Sequence, residues 1–219
     1  MNRAHPRSIA DAYLPRRSHY WYARCKLASD PLYAGVGDAL RGTSAPLLDL
    51  GCGIGLLAHT LRAQGFAGGY LGIDNDADKI EAARSAAARA GLLGVRFDGI
   101  DLASASFPPH RGSVCLLDLL QFVPEDAATE LVERAAACVE RGARLIIRSG
   151  LDGGDARSRL TRAVDVFSRR IGWMNAAPKH YPTRAKLESL LRRCGMSARI
   201  SPLGGRWFNN WLILGERKS

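Results

Sequence analysis

The sequence predicts an α/β protein in which helices cover both faces of a parallel sheet. Short apolar runs alternate with helical patterns between residues 46 and 149, an order that is typical of parallel strands joined by crossover helices. The apolar runs are almost continuous, as expected of strands that are buried on both faces. The chain has 219 residues, of which 47% are hydrophobic, and this is enough for one domain with one hydrophobic core.

Strands and helices alternate in this central region. The strands are predicted in the segments PLLDL, GGYLGID, GVRFDGID, SVCLLDLL and ARLIIRS, so that the fourth runs from Ser113 to Leu120. The helices are predicted in GLLAHTLRAQG, DADKIEAARSAAARAG and PEDAATELVERAAACVERG. Acids in the first turn of the last two helices, and a glycine at the end of each helix, are typical boundary signals.

Further elements are predicted on both sides of the central region. Residues 18–29 have a helical pattern, and Asp30–Pro31 predicts the start of another helix that ends before Gly42. Residues 155–171 predict an amphipathic helix with arginines opposite its apolar stripe. The remaining predictions are a helix at Thr183–Cys194 and short strands near residues 197–203 and 207–214.

Positive charge is concentrated at the two ends of the chain. The formal net charge is +10, divided as +4 over residues 1–30, −3 over residues 31–150 and +9 over residues 151–219. One interpretation is a solvated surface. The other is that the flanks face an anionic partner, such as a carboxylate, a phosphate-bearing thioester, an acidic carrier protein or RNA. The sequence leaves both open.

Composition disfavours secreted, membrane-spanning and zinc-binding proteins. No apolar run approaches the roughly 18–20 residues of a membrane span, and the first residues carry charges and prolines where a signal peptide has an apolar run. The five cysteines show no CxxC spacing and no histidine-paired metal spacing. We therefore expect a cytoplasmic protein in a reducing compartment.

The clearest motif is the glycine-rich turn DLGCGIG, which begins at Asp49 and ends at Gly55, between the first strand and the first helix. Glycines at such a turn let the backbone approach a ligand closely. The dinucleotide pattern GxGxxG would need a glycine at Leu56, so the spacing here is GxGxG. A second acid, Asp74, ends the second strand. This combination resembles class I S-adenosylmethionine (SAM)-dependent methyltransferases over roughly residues 45–150.

The resemblance implies a SAM site at the ends of the first three strands. Asp49 would anchor the loop near the amino group of SAM, Asp74 would accept hydrogen bonds from both ribose hydroxyls, and Asp101 would read the adenine amino group. Helix capping is the alternative role for Asp74 and Asp101. A slightly acidic centre suits a cofactor whose sulfonium and amino groups are cationic. The implied cofactor residues are Asp49, Gly51, Cys52, Gly53, Gly55, Asp74, Asn75, Asp101 and Leu102.

The resemblance also implies a Rossmann-like, doubly wound sheet of seven strands in the order 3-2-1-4-5-7-6, with strand 7 antiparallel. The chain would then be a single methyltransferase domain. Its parts would be an N-terminal helical lid at residues 1–44, a SAM-binding core at 45–150, an acceptor-side insertion at 151–182, and a closing helix and strands at 183–219.

Methyl transfer requires an acceptor atom in line with the methyl group and, where that atom carries a proton, a base. Asp118 lies toward the carboxyl end of the predicted fourth strand, where it would act as the base, orient the substrate or contact SAM. His180 and His19 are the other catalytic candidates, and a structural joint and aromatic packing are their respective alternatives. Tyr13, Tyr20, Tyr22 and Tyr181 are further candidate bases. The residues expected to bind the acceptor are Tyr20, Gln121, Arg148 and Tyr181.

Specialised methyltransferase classes fit the sequence poorly. The segment that follows Asp118 lacks the Asn/Asp-Pro-Pro-aromatic turn of enzymes that methylate amino groups of nucleic acids. The segment that follows Arg148 lacks the Asp-Asn pair of metal-dependent catechol enzymes, so we expect no metal.

Segments near both ends refine the resemblance. Residues 20–33 and 206–213 resemble small bacterial methyltransferases encoded with aryl-polyene or fatty-acid-like pigment pathways. This implies a phenolic, aryl or acyl acid as acceptor, free or bound as a thioester to coenzyme A or a carrier protein, in bacterial secondary metabolism. An RNA methyltransferase, which the basic flanks permit, and a non-catalytic SAM-binding scaffold remain as alternatives.

Overall fold

The computed structural model describes residues 6–14, 16–102, 107–152, 180–204 and 209–217. The predicted amphipathic helix at residues 155–171 lies outside these ranges, as does the first part of the predicted strand at 207–214. No helix in the described ranges has the length and hydrophobicity that crossing a lipid bilayer requires.

Seven strands form a mixed sheet. They are β1 (Leu47–Leu50), β2 (Tyr70–Asp74), β3 (Val95–Gly99), β4 (Ser113–Leu117), β5 (Leu145–Ser149), β6 (Met196–Pro202) and β7 (Trp211–Arg217). Their order is β3-β2-β1-β4-β5-β7-β6. Strand β2 is parallel to β1 and β3, β4 is parallel to β5, and β7 is antiparallel to both β5 and β6. The predicted fold class, strand order and antiparallel seventh strand are confirmed.

The described helices begin and end close to the predicted boundaries. They are α1 (Pro6–Asp11), α2 (Arg17–Ser29), α3 (Leu32–Ala39), α4 (Leu56–Ala63), α5 (Ala77–Arg89), α6 (Glu125–Cys138) and α7 (Arg184–Arg193). Side-chain caps explain two of the starts: the Asp76 carboxylate accepts hydrogen bonds from the first turn of α5, and the Thr183 hydroxyl accepts one from the first turn of α7. Helix α1 is not predicted from the sequence.

The chain divides into two compact units, one up to Ser113 and one from Val114 onward. In the first unit β1 is buried along its whole length, as expected of a strand that is covered on both faces. In the second unit every residue of β5 is buried in the same way. Each unit therefore has its own fully buried strand, and a glycine follows each one, Gly51 after β1 and Gly150 after β5.

The predicted end of β4 is wrong. The apolar run SVCLLDLL predicts a strand to Leu120, whereas β4 ends at Leu117. Asp118 has a φ of 57°, in the left-handed region that is uncommon for residues other than glycine. A short 3₁₀ turn, Leu120–Phe122, follows directly. The strand pattern cannot continue through this backbone conformation.

The last strand also differs from its prediction. The sequence predicts a strand at residues 207–214, whereas β7 runs from Trp211 to Arg217. The Arg217 guanidinium donates hydrogen bonds to the carbonyl oxygens of Ala136, Val139 and Cys194, near the ends of α6 and α7. These contacts fix the chain beyond the apolar residues, so that pairing with β6 continues to Arg217.

Candidate functional site

A tightly wound glycine loop joins β1 to α4. Its glycines, Gly51, Gly53 and Gly55, have φ values of 79°, 55° and 78°, all in the region that favours glycine. The N–H groups of Gly51 and Cys52 donate to the carbonyl oxygen of Ile73 at 2.8 and 3.0 Å. The loop is therefore held against the end of β2.

Asp74, the last residue of β2, connects this loop to the start of α5. It is 9% exposed. One carboxylate oxygen accepts the N–H of Gly53 at 2.9 Å, and the other accepts the N–H of Asp76 at 3.0 Å. Because a carboxylate has about four acceptor positions, two such bonds fix its orientation and leave positions for further donors. Asp74 is thus suited to bind a pair of neighbouring hydroxyl groups.

The glycines of the loop differ in what surrounds them. A Cβ atom on Gly53 would have no heavy atom within 4 Å, so that this side of the loop is open. A Cβ atom on Gly55 would lie 2.7 Å from the Phe97 ring and 3.0 Å from the Ala83 Cβ. Gly53 therefore leaves space next to the loop, whereas Gly55 permits close packing between the loop, β3 and α5.

Asp49 is a buried carboxylate beneath the loop. It is 2% exposed, and one of its oxygens accepts a hydrogen bond from the Tyr70 hydroxyl at 2.5 Å. Its other oxygen, Oδ1, has no hydrogen-bond partner among the described residues. Burial raises the pKa of Asp49 to about 7, against the opposing effect of the Tyr70 hydrogen bond, and the neighbouring Asp74 raises it further. A cationic group beside Oδ1 would offset this burial of charge.

The raised pKa of Asp49 predicts a pH-dependent stability of the cofactor-free protein. Between about pH 4 and pH 7 the folded state keeps a proton on Asp49 that the unfolded state has lost, so stability falls as pH rises through this range. We expect the free energy of unfolding of the wild type, relative to Asp49→Asn, to decrease by up to about 1.4 kcal/mol per pH unit in this window.

Denaturant unfolding at several pH values measures this difference. Asp98→Asn is the control, since Asp98 is half-exposed and pairs with Arg84 and Arg96 on the surface of β3. A constant difference between wild type and Asp49→Asn from pH 4 to pH 7 would show that Asp49 titrates normally.

The ends of β2 and β3 lie side by side. The N–H of Ile100 donates to the carbonyl oxygen of Asp74 at 3.0 Å. Asp101 and Leu102 therefore follow close to Asp74, with Asp101 exposed and Leu102 half-buried, and Asn75 is exposed beside Asp74. The structure brings these predicted adenine-side residues to the same end of the first unit.

Cys52 lies inside the loop as a structural thiol. Its Sγ contacts the carbonyl oxygen of Gly53 at 3.6 Å. Burial, together with the nearby Asp49 and Asp74, raises its pKa. A thiol that is held protonated in this way is a poor nucleophile.

His19 and Tyr20 lie next to each other on α2. His19 is half-buried, and its Nδ1 has no partner among the residues that the structure describes. Burial and the neighbouring Arg16 lower the pKa of His19, while Asp76 and Asp78 at the start of α5 oppose this shift. The Tyr20 hydroxyl accepts a hydrogen bond from Arg24 at 3.2 Å. His19 thus lies within electrostatic range of the start of α5.

In the second unit, Asp118 and Arg148 form an ion pair. Asp118 directly follows β4, and Arg148 is the next-to-last residue of the parallel strand β5. The N–H of Asp118 also donates to the carbonyl oxygen of Arg148 at 3.0 Å. Arg148 is 6% exposed. The sequence predicts that Asp118 is a base, orients the substrate or contacts SAM, and that Arg148 is a substrate-binding cation, whereas the structure joins the two in one polar pair at the strand ends.

The other acceptor-side candidates of the second unit lie in different places. Gln121, in the 3₁₀ turn, is buried, and its Oε1 has no donor among the described residues. The Tyr181 ring occupies the space next to Gly150, whose Cβ would lie 2.7 Å from it. His180 lines a groove between α6 and α7, beside the Glu125–Lys186 ion pair. Tyr181 is therefore the candidate that packs at the end of β5.

Sequence reasoning misses the roles of Tyr70 and Tyr13. The Tyr70 hydroxyl donates a hydrogen bond to the buried Asp49 carboxylate. The Tyr13 hydroxyl donates one to the carbonyl oxygen of Ile54 in the glycine loop at 2.9 Å. Both contacts join residues more than twenty positions apart, and no motif indicates them. Over the described part of the chain, no three His, Cys, Asp or Glu side chains come together as metal ligands.

Comparisons with known proteins agree with this architecture. A family model described as a methyltransferase domain matches residues 47–142. No curated protein matches the chain in sequence.

Several solved structures share the fold. Magnesium protoporphyrin IX methyltransferase from Synechocystis PCC 6803, with bound SAH, has a TM-score of 0.65 and 20% identity over 85% of this chain and 82% of that chain. An O-methyltransferase family protein from Burkholderia thailandensis has a TM-score of 0.69 and 21% identity, covering 93% of this chain and 61% of that chain. The pyocyanin biosynthetic protein PhzM has a TM-score of 0.69 and 18% identity, covering 96% and 61%. This chain thus spans about three fifths of the length of the last two proteins.

The residues of the loop fit SAM. Asp74 retains acceptor positions for a ribose diol, the open side of Gly53 leaves space for the ligand, and the unpartnered Oδ1 of Asp49 suits a nearby cationic amino group. Residues 47–142 match a methyltransferase domain, and the strand order is that of the class I methyltransferase fold; with this site, they support S-adenosylmethionine-dependent methyl transfer as the activity of the chain.

Proposed function

We propose that the protein methylates a small phenolic, aryl or acyl acid, free or bound as a thioester to coenzyme A or a carrier protein, in the cytoplasm and in bacterial secondary metabolism. The observation that carries this proposal is the buried Arg148, paired with Asp118 at the adjoining ends of β5 and β4. In open α/β sheets ligands bind beyond the carboxyl ends of strands. A guanidinium there suits the carboxylate or phosphate of an acceptor.

The names of similar solved structures support a small acceptor. They include an O-methyltransferase family protein, a pyocyanin biosynthetic protein and the mitomycin 7-O-methyltransferase MmcR. All are less than 25% identical to this chain, so their names suggest an acceptor class and no individual acceptor.

Some residues of the chain bind and orient the cofactor, and others deprotonate or orient the acceptor. SAM, when bound, supplies a methyl group activated by its sulfonium. Asp74 and the glycine loop hold and orient the cofactor, and Asp49 provides a negative charge near its cationic part. Asp118 receives the proton of the acceptor group or orients that group through Arg148. Gln121 offers a buried acceptor oxygen for a hydroxyl or amide donor of the substrate.

Labelled SAM tests the acceptor class. The protein is incubated with [methyl-³H]SAM and an extract of the native host, and label is counted in total RNA and in the small-molecule fraction. A panel of aryl acids and their coenzyme A thioesters is tested in parallel, with Asp74→Ala as the inactive control. Label in the small-molecule fraction supports the proposal. Label in RNA would favour an RNA methyltransferase, and binding of SAM without any transfer would favour a non-catalytic scaffold.

Asp118→Asn separates acceptor chemistry from cofactor binding. Asparagine tolerates the left-handed backbone at this position but cannot accept a proton as a carboxylate does. We expect turnover to fall by roughly 10²–10⁴-fold, as for loss of a general base, with the Kd for SAM unchanged. Steady-state kinetics with the acceptor found above and calorimetry with SAM measure the two effects.

His180→Gln is the matched comparison for Asp118→Asn, because His180 lines the groove between α6 and α7. We expect its turnover to stay within about threefold of the wild type, since loss of a general base costs far more. If His180→Gln loses turnover and Asp118→Asn does not, the assignment is reversed. Normal turnover in both variants would exclude both residues as the base.

A further inference from the structure

The turn that follows α1 contacts the glycine loop of the cofactor site. Tyr13 lies in this turn and is only 2% exposed. Its hydroxyl donates a hydrogen bond to the carbonyl oxygen of Ile54 at 2.9 Å. Burial raises the pKa of Tyr13, so that the hydroxyl keeps the proton that it donates. The first described segment of the chain therefore reaches a residue between the second and third glycines of the loop.

The carbonyl group that Tyr13 contacts lies between two conformationally flexible glycines. Ile54 is flanked by Gly53 and Gly55, which both have left-handed backbones with φ values of 55° and 78°. Glycine is the most flexible residue, so the peptide that joins Ile54 to Gly55 depends on its hydrogen bonds for a single orientation. On one side the N–H of Gly55 donates to the carbonyl oxygen of Cys52 at 3.0 Å. On the other side Tyr13 donates to the carbonyl oxygen of Ile54.

Other contacts fix Tyr13 itself. The Arg89 guanidinium, at the end of α5, donates to the carbonyl oxygen of Ala12 at 2.7 Å. The Tyr13 and His59 rings pack at 5.4 Å between centroids. Around them, a buried cluster joins residues of α1, α2, the loop, α4 and α5: Ile9, Ala10, Ala12, Tyr13, Ala23, Ile54, Leu56, Ala82 and Ala86. Residues of α4 and α5 thus fix the position of Tyr13, and Tyr13 in turn fixes the glycine loop.

We propose that Tyr13 is a positioning residue for the cofactor site, which fixes the glycine loop in its SAM-binding conformation and couples docking of the N-terminal turn to cofactor binding. The coupling is reciprocal: a docked turn strengthens SAM binding, and bound cofactor strengthens docking of the turn. Tyr13 acts through Ile54 and does not take part in the transfer itself. The proposal depends on the cofactor and not on the identity of the acceptor.

Tyr13→Phe tests the proposal with Ile9→Val as its control. Phenylalanine keeps the buried ring and removes only the hydroxyl. Ile9→Val loses one methylene from the same cluster without touching a hydrogen bond of the loop. We expect Tyr13→Phe to bind SAM and SAH roughly three- to tenfold more weakly, as loss of one hydrogen bond allows, whereas Ile9→Val binds both as the wild type does. Calorimetry measures both ligands, so the result does not rely on turnover.

Hydrogen exchange separates positioning from general loss of stability. In the ligand-free protein, the amides of Gly53 and Gly55 should exchange faster in Tyr13→Phe than in Ile9→Val when the two variants have similar melting temperatures. Equal exchange and equal affinity in the two variants would overturn the proposal. Equal weakening of SAH binding by both would show that Tyr13 has a purely structural role.

The wild-type protein provides an independent measurement should Tyr13→Phe fail to fold. Binding of SAH should slow hydrogen exchange at the amides of residues 9–14, because cofactor binding and docking of the turn are coupled. Unchanged exchange over this segment at saturating SAH, while the loop itself becomes protected, would overturn the proposal.

Discussion

Replacing Asp74 with alanine is expected to weaken SAM binding by at least about a hundredfold while the protein still folds. Hydrogen bonds to a charged group contribute about 1.5–3 kcal/mol each, and the ribose diol would lose two of them. A loss of about 1.4 kcal/mol is tenfold in Kd. Asp74 also accepts the N–H groups of Gly53 and Asp76, so its removal should loosen the loop in addition to removing the proposed ribose contact.

Two further variants isolate the carboxylate. Asp74→Asn keeps one oxygen for the loop and should bind SAM more tightly than Asp74→Ala but more weakly than the wild type. Asp98→Asn changes a half-exposed acid on β3 that pairs with surface arginines, and it should leave the affinity unchanged. Calorimetry gives the Kd, and circular dichroism and thermal melting confirm the fold. Wild-type affinity in a folded Asp74→Ala protein would rule out the ribose assignment.

Alanine at Gly55 is expected to destabilise the protein by about 3–5 kcal/mol, a loss of the size produced by steric overlap and backbone strain together. The new Cβ would lie 2.7 Å from the Phe97 ring, on a residue whose φ is 78°. Phe97 is 2% exposed and packs against Tyr70. The ring therefore has little room to move away.

Alanine at Gly53 is expected to act on binding instead. Its φ of 55° is left-handed, which costs about 1–2 kcal/mol for a residue with a Cβ, but the surrounding space is open. We expect a folded protein whose SAM affinity falls at least about tenfold, because the methyl group of the new alanine side chain occupies the open space beside the loop. A tenfold weaker affinity corresponds to a loss of about 1.4 kcal/mol in binding free energy. Urea unfolding and calorimetry on both variants distinguish the two glycines. Equal stability losses with equal affinities would show that the loop glycines have the same role.

The sequence alone is informative where a structural rule is local. Strand and helix alternation, the helix caps and the GxGxG turn depend on residues that are close along the chain, and they predict the fold class, most element boundaries and the position of the loop. The acid at the end of β2 is predicted for the same reason, because Asp74 ends an apolar run. Helix α1 is missed because only packing against distant residues stabilises so short a helix.

Other features of the fold and the site depend on contacts between residues that are distant in sequence, and only the tertiary structure decides them. The motif treats Gly53 and Gly55 alike, yet only the position of Phe97 separates an open glycine from a packed one. The apolar pattern predicts β4 to Leu120, whereas the strand ends at Leu117, just before the left-handed Asp118, which pairs with Arg148. Asp49 is recognisable as a motif acid, whereas its raised pKa requires burial and Tyr70. By itself the sequence determined the α/β class and the place of the glycine turn, with Asp49 and Asp74 near it, because each follows from local spacing, whereas the SAM-binding roles of these residues came from the family resemblance. Only folding decided which of those residues pack, pair or remain open to a ligand, because burial and long-range hydrogen bonds arise once distant segments meet.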